Sequence, residues 1–334
     1  MKTLKILALV FVSLIVIIGF TIFFAPDEAH IERKIIVQVP SKLIYQDLMV
    51  FKNFNTWNPW AAKDPKTTWI FSGPDFGVDA QMNWTSEVVG NGQMKIIKAN
   101  YPNSVTYEMD FGYGSKPTAS ILLLETDQGT EVTWTYDEVN MSGFGKIMGL
   151  AMDKFLGPDY ETGLQNLKTR MELIPDLEYE MEVMELSPYK YLSAVDTVSA
   201  SQEFVSAKLA QTYGILMSYI GNNSLEQTGA PIAIYTRADE SGFSFIPGIP
   251  VDAVNVTDEA LMIRETASGK VLRTVYYGAY EEMEPAYYQM ESFIDFLNLK
   301  SNGNPWEEYI TDPATESNTE NWLTYIYWPV TLKE

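Results

Sequence analysis

Lys270-Val-Leu-Arg-Thr-Val275 reads as a strand, and it runs into a helical stretch from Glu281 to Leu299, an Asn/Gly turn and Pro305-Trp-Glu-Glu-Tyr309. The same order stands earlier in the chain. Lys190-Tyr-Leu-Ser-Ala-Val195 is a strand, Ser201 to Ile220 a helix, an Asn/Gly turn follows, and Pro231-Ile-Ala-Ile-Tyr235 closes the unit. Strand, helix, turn, proline, strand and tyrosine thus recur after about 75–80 residues, an interval too long and a repeat too few for a solenoid. Two strand–helix–strand–strand units most simply join into one sheet with both helices on one face. The other face is then free to be concave and to hold a ligand.

Upstream of this duplication the pattern changes. Ile31 to Val39 alternates as a strand, Pro40 ends it, and Ser41 is placed to cap a short helix, SKLIYQDLMVF. A tryptophan-rich turn, FNTWNPWAAKDP, comes next. Thr67–Ser72, Ala80–Val89, Gln93–Ala99, Ser104–Tyr113, Ala119–Thr126 and Glu131–Tyr136 then read as strands separated by SGPDFG, GNG, PN, GSKP and DQG. Such even spacing predicts a curved antiparallel meander. A long helix follows from Phe144 to Leu173, with apolar residues at three- and four-residue steps and a kink expected at Gly157-Pro158. IPDLEYE is the expected linker between the two halves.

Composition narrows the chemistry. Hydrophobic residues make up 46% of the 334-residue chain, enough for real cores. The absence of cysteine removes disulfides, thiol catalysis and zinc–thiolate sites. The one histidine, His30, reads as an interfacial residue, so Ser-His-Asp catalysis and multi-histidine metal sites have nothing to use. A net charge of −21 argues against nucleic acid as a partner. Ile6 to Phe24 is free of charge, and about 19 residues nearly span a bilayer core of roughly 30 Å. Lys2 and Lys5 precede it, and Asp27 and Glu28 follow. The expectation is an uncleaved transmembrane anchor, with a cleaved signal peptide as its rival. Charge asymmetry then makes the chain a single-pass protein of the inner (cytoplasmic) membrane, with both domains on the periplasmic or extracytoplasmic side.

The stretches IERKIIVQVPSKLIYQDLMVFKNFNTWNPW, SGPDFGVDAQMNWTS and LGPDYETGLQNLK resemble the polyketide cyclase/dehydrase branch of the START-like (SRPBCC) family. That resemblance implies a helix-grip domain with a hydrophobic cavity between sheet and helix, which Trp57, Trp60, Trp69, Trp84 and Trp134 either line or fill as ordinary core. Asp64, Asp75 and Asp79 read as turn formers. PIAIYTR, RTVYYGAYEEM, WEEYITDP and LTYIYWPV resemble the GyrI-like effector-binding domain of AraC- and MerR-type regulators. No helix-turn-helix partner accompanies them, so the transcriptional role does not follow. The expected organisation is α+β: an anchor over 1–30, a START-like domain over 31–175 and a duplicated GyrI-like domain over 176–334.

The GyrI-like resemblance implies a pocket glutamate in an E-x-Y-x-x-D-P pattern, here Glu307 with Tyr309. Strand alternation puts those two on one face and Glu308 on the other, and a slip of one residue would give Glu308 the role. Tyr235 stands at the matching place in the first repeat. Tyr280 begins the second helix, and Tyr325 in the last strand completes the candidate ligand-binding set. A carboxylate among aromatic rings selects lipophilic, cationic or donor-bearing molecules. The leading expectation is therefore binding or sensing of a hydrophobic small molecule, without catalytic residues, cofactor or metal. The alternative is a hydrolase in which Glu307 is the general base and Tyr309 or Tyr280 a donor. A third reading is an interaction module for an unidentified protein partner, its cavities filled by side chains.

Overall fold

The computed structural model describes residues 2–174, 177–239, 241–252 and 255–333, without the side chains of 2–5 and 8. The flanking Lys2 and Lys5 side chains, and Pro175 and Asp176 of the expected linker, lie outside these. The chain forms two compact units, Met1–Leu173 and Ile174–Glu334.

Unit 1 opens with helix α1 (Lys2–Phe24), where a transmembrane anchor was expected. Among the described residues no helix is long and apolar enough to cross a membrane. The membrane anchor, and the membrane as a partner, are corrected on that ground.

Beyond α1 lie β1 (Ala29–Val37), α2 (Ser41–Leu48), α3 (Phe51–Trp57) and α4 (Pro59–Lys63). The helix expected over SKLIYQDLMVF is thus broken in two before Phe51. Ser41 does not cap α2 with its own side chain. Its N–H and Oγ both donate to Glu125 Oε1, at 3.1 and 2.9 Å, so a carboxylate from the sheet serves the helix N-terminus.

Six further strands follow: β2 (Thr68–Ser72), β3 (Gln81–Thr85), β4 (Gly92–Asn100), β5 (Ser104–Asp110), β6 (Thr118–Thr126) and β7 (Gly129–Glu138). The order β1-β7-β6-β5-β4-β3-β2 is the expected antiparallel meander, with β1 returning beside β7. Helix α5 (Phe144–Met171) runs through Pro158 as one helix and packs on β1, β7, α3 and α4.

Unit 2 carries β8 (Glu180–Leu186), β9 (Lys190–Ala194), β10 (Val198–Ala200), α6 (Val205–Asn222), β11 (Ile232–Asp239) and β12 (Gly242–Pro250). After β13 (Leu261–Glu265) come β14 (Gly269–Tyr277), α7 (Glu284–Phe296), β15 (Leu299–Ser301), β16 (Trp306–Tyr309) and β17 (Leu323–Leu332). The main path of the sheet is β13-β9-β12-β11-β16-β17-β14-β8. The two repeats, β9-α6-β11-β12 and β14-α7-β16-β17, meet where β11 pairs with β16. At this seam Ala233 faces Glu307, Ile232 faces Glu308 and Ile234 faces Trp306. Leu209, Leu216 and Ile220 of α6 and Phe293 and Ile294 of α7 are buried, as amphipathic helices over a sheet require.

Candidate functional site

Antiparallel pairing fixes which side chains share a face, because directly opposed residues point the same way. Ala233, Glu307, Ile326 and Thr274 are opposed in turn across β11, β16, β17 and β14, and Tyr309 is opposed to Thr324. Tyr235 lies two residues from Ala233 on the same face. Tyr213 of α6 stands edge-on to Tyr309 at 6.4 Å, and Tyr287 of α7 reaches Glu307, so this is the helix-covered face. The expectation of a ligand on the face away from the helices is therefore corrected for Glu307.

Glu307 is 6% exposed. Its Oε2 accepts from Tyr309 Oη at 2.6 Å and from Tyr235 Oη at 3.2 Å, and its Oε1 accepts from Tyr287 Oη at 2.8 Å. The hydroxyls of Tyr235 and Tyr309 are themselves 3.2 Å apart. Burial pushes the carboxyl above its ordinary value of 4.5, while the bonds from Tyr309, Tyr287 and Tyr235 pull it back. Burial and the adjacent carboxylate hold Tyr235, Tyr287 and Tyr309 well above 10, so all three remain donors. An ionised carboxylate offers about four lone-pair directions. Among the described residues, three are taken by tyrosine hydroxyls.

Tyr280 closes one side. Its ring lies 5.0 Å from Tyr309 and 4.8 Å from Trp322, and its hydroxyl is pushed up to about 12 by burial and by Glu307. Tyr235 in turn meets Phe243 and Phe245 at 6.2 and 5.8 Å. Tyr235, Tyr280, Glu307 and Tyr309 are thus brought together. Tyr325 is not, because it is opposed to Glu308 and shares the other face with it. Sequence reasoning missed Tyr287 and Tyr213. Each lies on the inward side of a helix, a position legible only once helix phase and sheet face are known together.

In unit 1 the tryptophans divide. Trp57 and Trp134 are buried, with ring centroids 5.5 Å apart, and Trp134 stacks on Tyr160 of α5 at 4.0 Å. Phe54 joins both tryptophans edge-on. Gly163 of α5 makes room for this stack, since a Cβ there would lie 2.6 Å from the Trp134 ring. These rings occupy the space between sheet and helix where the resemblance places a cavity. Trp60 donates to Asp159 Oδ2 at 2.9 Å, and Trp69 and Trp84 form a cross-strand pair at 6.3 Å. One buried ion pair was not foreseen: Arg170 Nε and Nη2 both donate to Asp47 Oδ1, at 3.0 and 2.7 Å. Burial raises the Asp47 carboxyl, with the Arg170 charge opposing. Asp64, read as a turn former, accepts from the Lys66 N–H two residues on and from Ser86 Oγ. Among the described residues no group of His, Cys, Asp or Glu side chains could hold a metal ion.

Residues 29–172 match the family described as polyketide cyclase/dehydrase and lipid transport. No curated protein matches the chain. Among solved structures, the EcmrR C-terminal domain is similar at 15% identity, covering 47% of this chain and 100% of that one, with a TM-score of 0.40. EcmrR in its complex with DNA is similar at 13% identity over 56% of this chain and 69% of that one, with a TM-score of 0.43. A hydrolase encoded by lin2189 from Listeria innocua is similar at 13% identity over 49% and 98% of the two chains, with a TM-score of 0.36. Likenesses this distant leave the reading of the site to its own residues.

Proposed function

We propose that unit 2 binds a lipophilic small molecule bearing a cationic or hydrogen-bond-donating group, and that it is a GyrI-like binding module fused to an SRPBCC-type domain. One observation carries this: Glu307 is buried among tyrosines and, among the described residues, accepts its hydrogen bonds from hydroxyls and from no lysine or arginine. A buried carboxylate without a counter-charge is costly, and a cation supplied by a ligand removes that cost. The surrounding ring faces add about 0.5–2 kcal/mol of cation–π attraction. The match of residues 29–172 to a family described by polyketide cyclisation and lipid transport supports apolar small molecules as the class concerned.

The arrangement favours binding over hydrolysis. Tyrosine hydroxyls already occupy both carboxylate oxygens of Glu307, which leaves less of the carboxylate open to take a proton from a water. The test is thermal shift with tetraphenylphosphonium and, as a neutral comparator, triphenylphosphine oxide, on the parent and on Glu307→Gln. The cation should raise the melting temperature of the parent and leave Glu307→Gln unmoved. Equal stabilisation of both by the cation would remove Glu307 as the selector.

A further inference from the structure

The sheet of unit 2 has a second polar cluster, on the face away from α6 and α7. Trp306, Tyr327, Arg273 and Glu182 are opposed in turn across β16, β17, β14 and β8, and Glu308 is opposed to Tyr325. Trp306 is 1% exposed and stacks on Tyr327, with ring centroids 5.0 Å apart and planes 15° apart. Tyr327 Oη donates to Glu308 Oε2 at 3.0 Å. Arg273 donates from Nη2 to Glu182 and lies over the Tyr325 ring, 5.2 Å from its centroid. Tyr191, Ile234 and Ile246 supply apolar walls, and Tyr189 packs against them.

Among the described residues, three buried polar atoms in this cluster find no hydrogen-bond partner: Trp306 Nε1, Tyr189 Oη and Arg273 Nε. The Trp306 indole N–H and the Tyr189 hydroxyl are neighbours, and the indole pulls the proton affinity of that hydroxyl down, although their geometry falls short of a hydrogen bond. The Glu308 charge acts in the opposite direction on Tyr189. A buried, unanswered N–H or O–H costs about 1–3 kcal/mol. Native proteins rarely leave such groups adjacent to one another without a water, an ion or a ligand between them.

We infer that this face is a second small-molecule site, back to back with the Glu307 site through the one strand β16, and that it takes a flat neutral molecule whose edge carries a carbonyl beside an N–H, such as an amide, lactam or imide. The carbonyl oxygen accepts from Trp306 Nε1 and Tyr189 Oη. The neighbouring N–H donates to Glu308, which has one recorded donor in Tyr327. The flat ring lies against the Trp306–Tyr327 stack. A lone cation does not fit, because two of the three unanswered groups, the indole and guanidinium N–H, can only donate. The inference does not depend on the Glu307 reading, because the two carboxylates point to opposite faces.

The probe is benzamide, added to the full-length chain with 15N-labelled tryptophan and followed by NMR at the indole N–H of Trp306, assigned through Trp306→Phe. Benzamide should shift that resonance saturably, and toluene should not. Tyr189→Phe keeps the ring and removes one donor, so benzamide affinity should fall about threefold to tenfold. Without benzamide the same variant should melt at or above the parent temperature, because it removes a buried unpartnered hydroxyl. Glu307→Gln should leave benzamide affinity unchanged. An indole resonance unmoved by millimolar benzamide, equal affinity in Tyr189→Phe, or loss of binding in Glu307→Gln would each overturn the proposal. So would a stable water cross-peak at the indole proton that benzamide leaves intact, which would assign the gap to a buried water alone.

Discussion

Tyr287→Phe isolates the contribution of one donor to the acidity of Glu307. Tyr287 is the donor recorded on Oε1, at 2.8 Å, while Tyr235 and Tyr309 share Oε2. Phenylalanine keeps the ring, including its contact with Trp328 at 6.0 Å, and deletes the hydroxyl. A hydrogen bond to a charged acceptor is worth about 1.5–3 kcal/mol. That support goes to the carboxylate more than to the acid, so its loss shifts the acid-to-carboxylate ratio toward the acid by about tenfold to a hundredfold at a given pH. Infrared difference spectra of the carboxyl stretch, recorded across a pH series on chains with 13C-labelled glutamate, read this ratio directly. Glu307→Gln identifies the band. The titration of that band should move to higher pH in Tyr287→Phe. An unmoved band, or a move toward the ionised form, would refute the claim that the tyrosine hydroxyls hold the buried charge in place.

Other expectations follow from the same geometry. Glu307 and Glu308 both hold their protons more tightly in the fold than their ordinary value of 4.5, mainly through burial. Their contribution to stability is therefore full below that value and is lost as pH rises through the folded-state values. Urea midpoints measured upward from about pH 4.5 should decline less steeply for Glu307→Gln than for the parent, and the stabilisation given by tetraphenylphosphonium should grow with pH over the same window. Gly163→Ala should destabilise by roughly 1–3 kcal/mol, because its methyl would press on Trp134. Gly214→Ala in α6, with nothing within 4 Å of its Cβ, should instead stabilise by roughly 1 kcal/mol. Urea unfolding of both variants decides the sign. Arg170→Met strands the buried Asp47 and should cost about 3–5 kcal/mol in the same assay, much more than Asp47→Asn.

The periodic features were legible in the sequence because alternation and turn residues act locally. All seven strands of the first sheet were placed to within a few residues, as were both helices of the duplication. The equivalence of Tyr235 and Tyr309 also came from the repeat alone, and their hydroxyls meet in the structure. What the sequence could not supply was the assignment of faces. Glu307 was placed opposite to Glu308 correctly by alternation, yet which of them looked at the helices depends on how β16 sits between β11 and β17. Tyr325 was drawn into the site by its aromatic character, and the same pairing carries it to the other face. Tyr287 and the Asp47–Arg170 pair were invisible for a different reason. Each joins elements far apart in the chain, 20 and 123 residues in separation, through side chains whose spacing has no local signature. In α1 the apolar run and its flanking charges pointed to a membrane span, whereas among the described residues no helix is long and apolar enough to make one.

The seam between the repeats places equivalent positions opposite one another. Ala233 in the first repeat and Glu307 in the second hold the same rank after their prolines, and they are direct partners in the ladder. If the domain arose by doubling of a smaller chain that paired with itself, an ancestor with glutamate at this rank would have set two identical carboxylates face to face, with Cβ atoms about 4.5–5.5 Å apart. Such a pair repels unless a shared proton or a dication bridges it. Fusion of the halves frees the two copies to diverge, and alanine on one side leaves a single negative charge on the other. Broken symmetry thus leaves this seam a single carboxylate instead of two, and Ala233→Glu would set a second one directly against it.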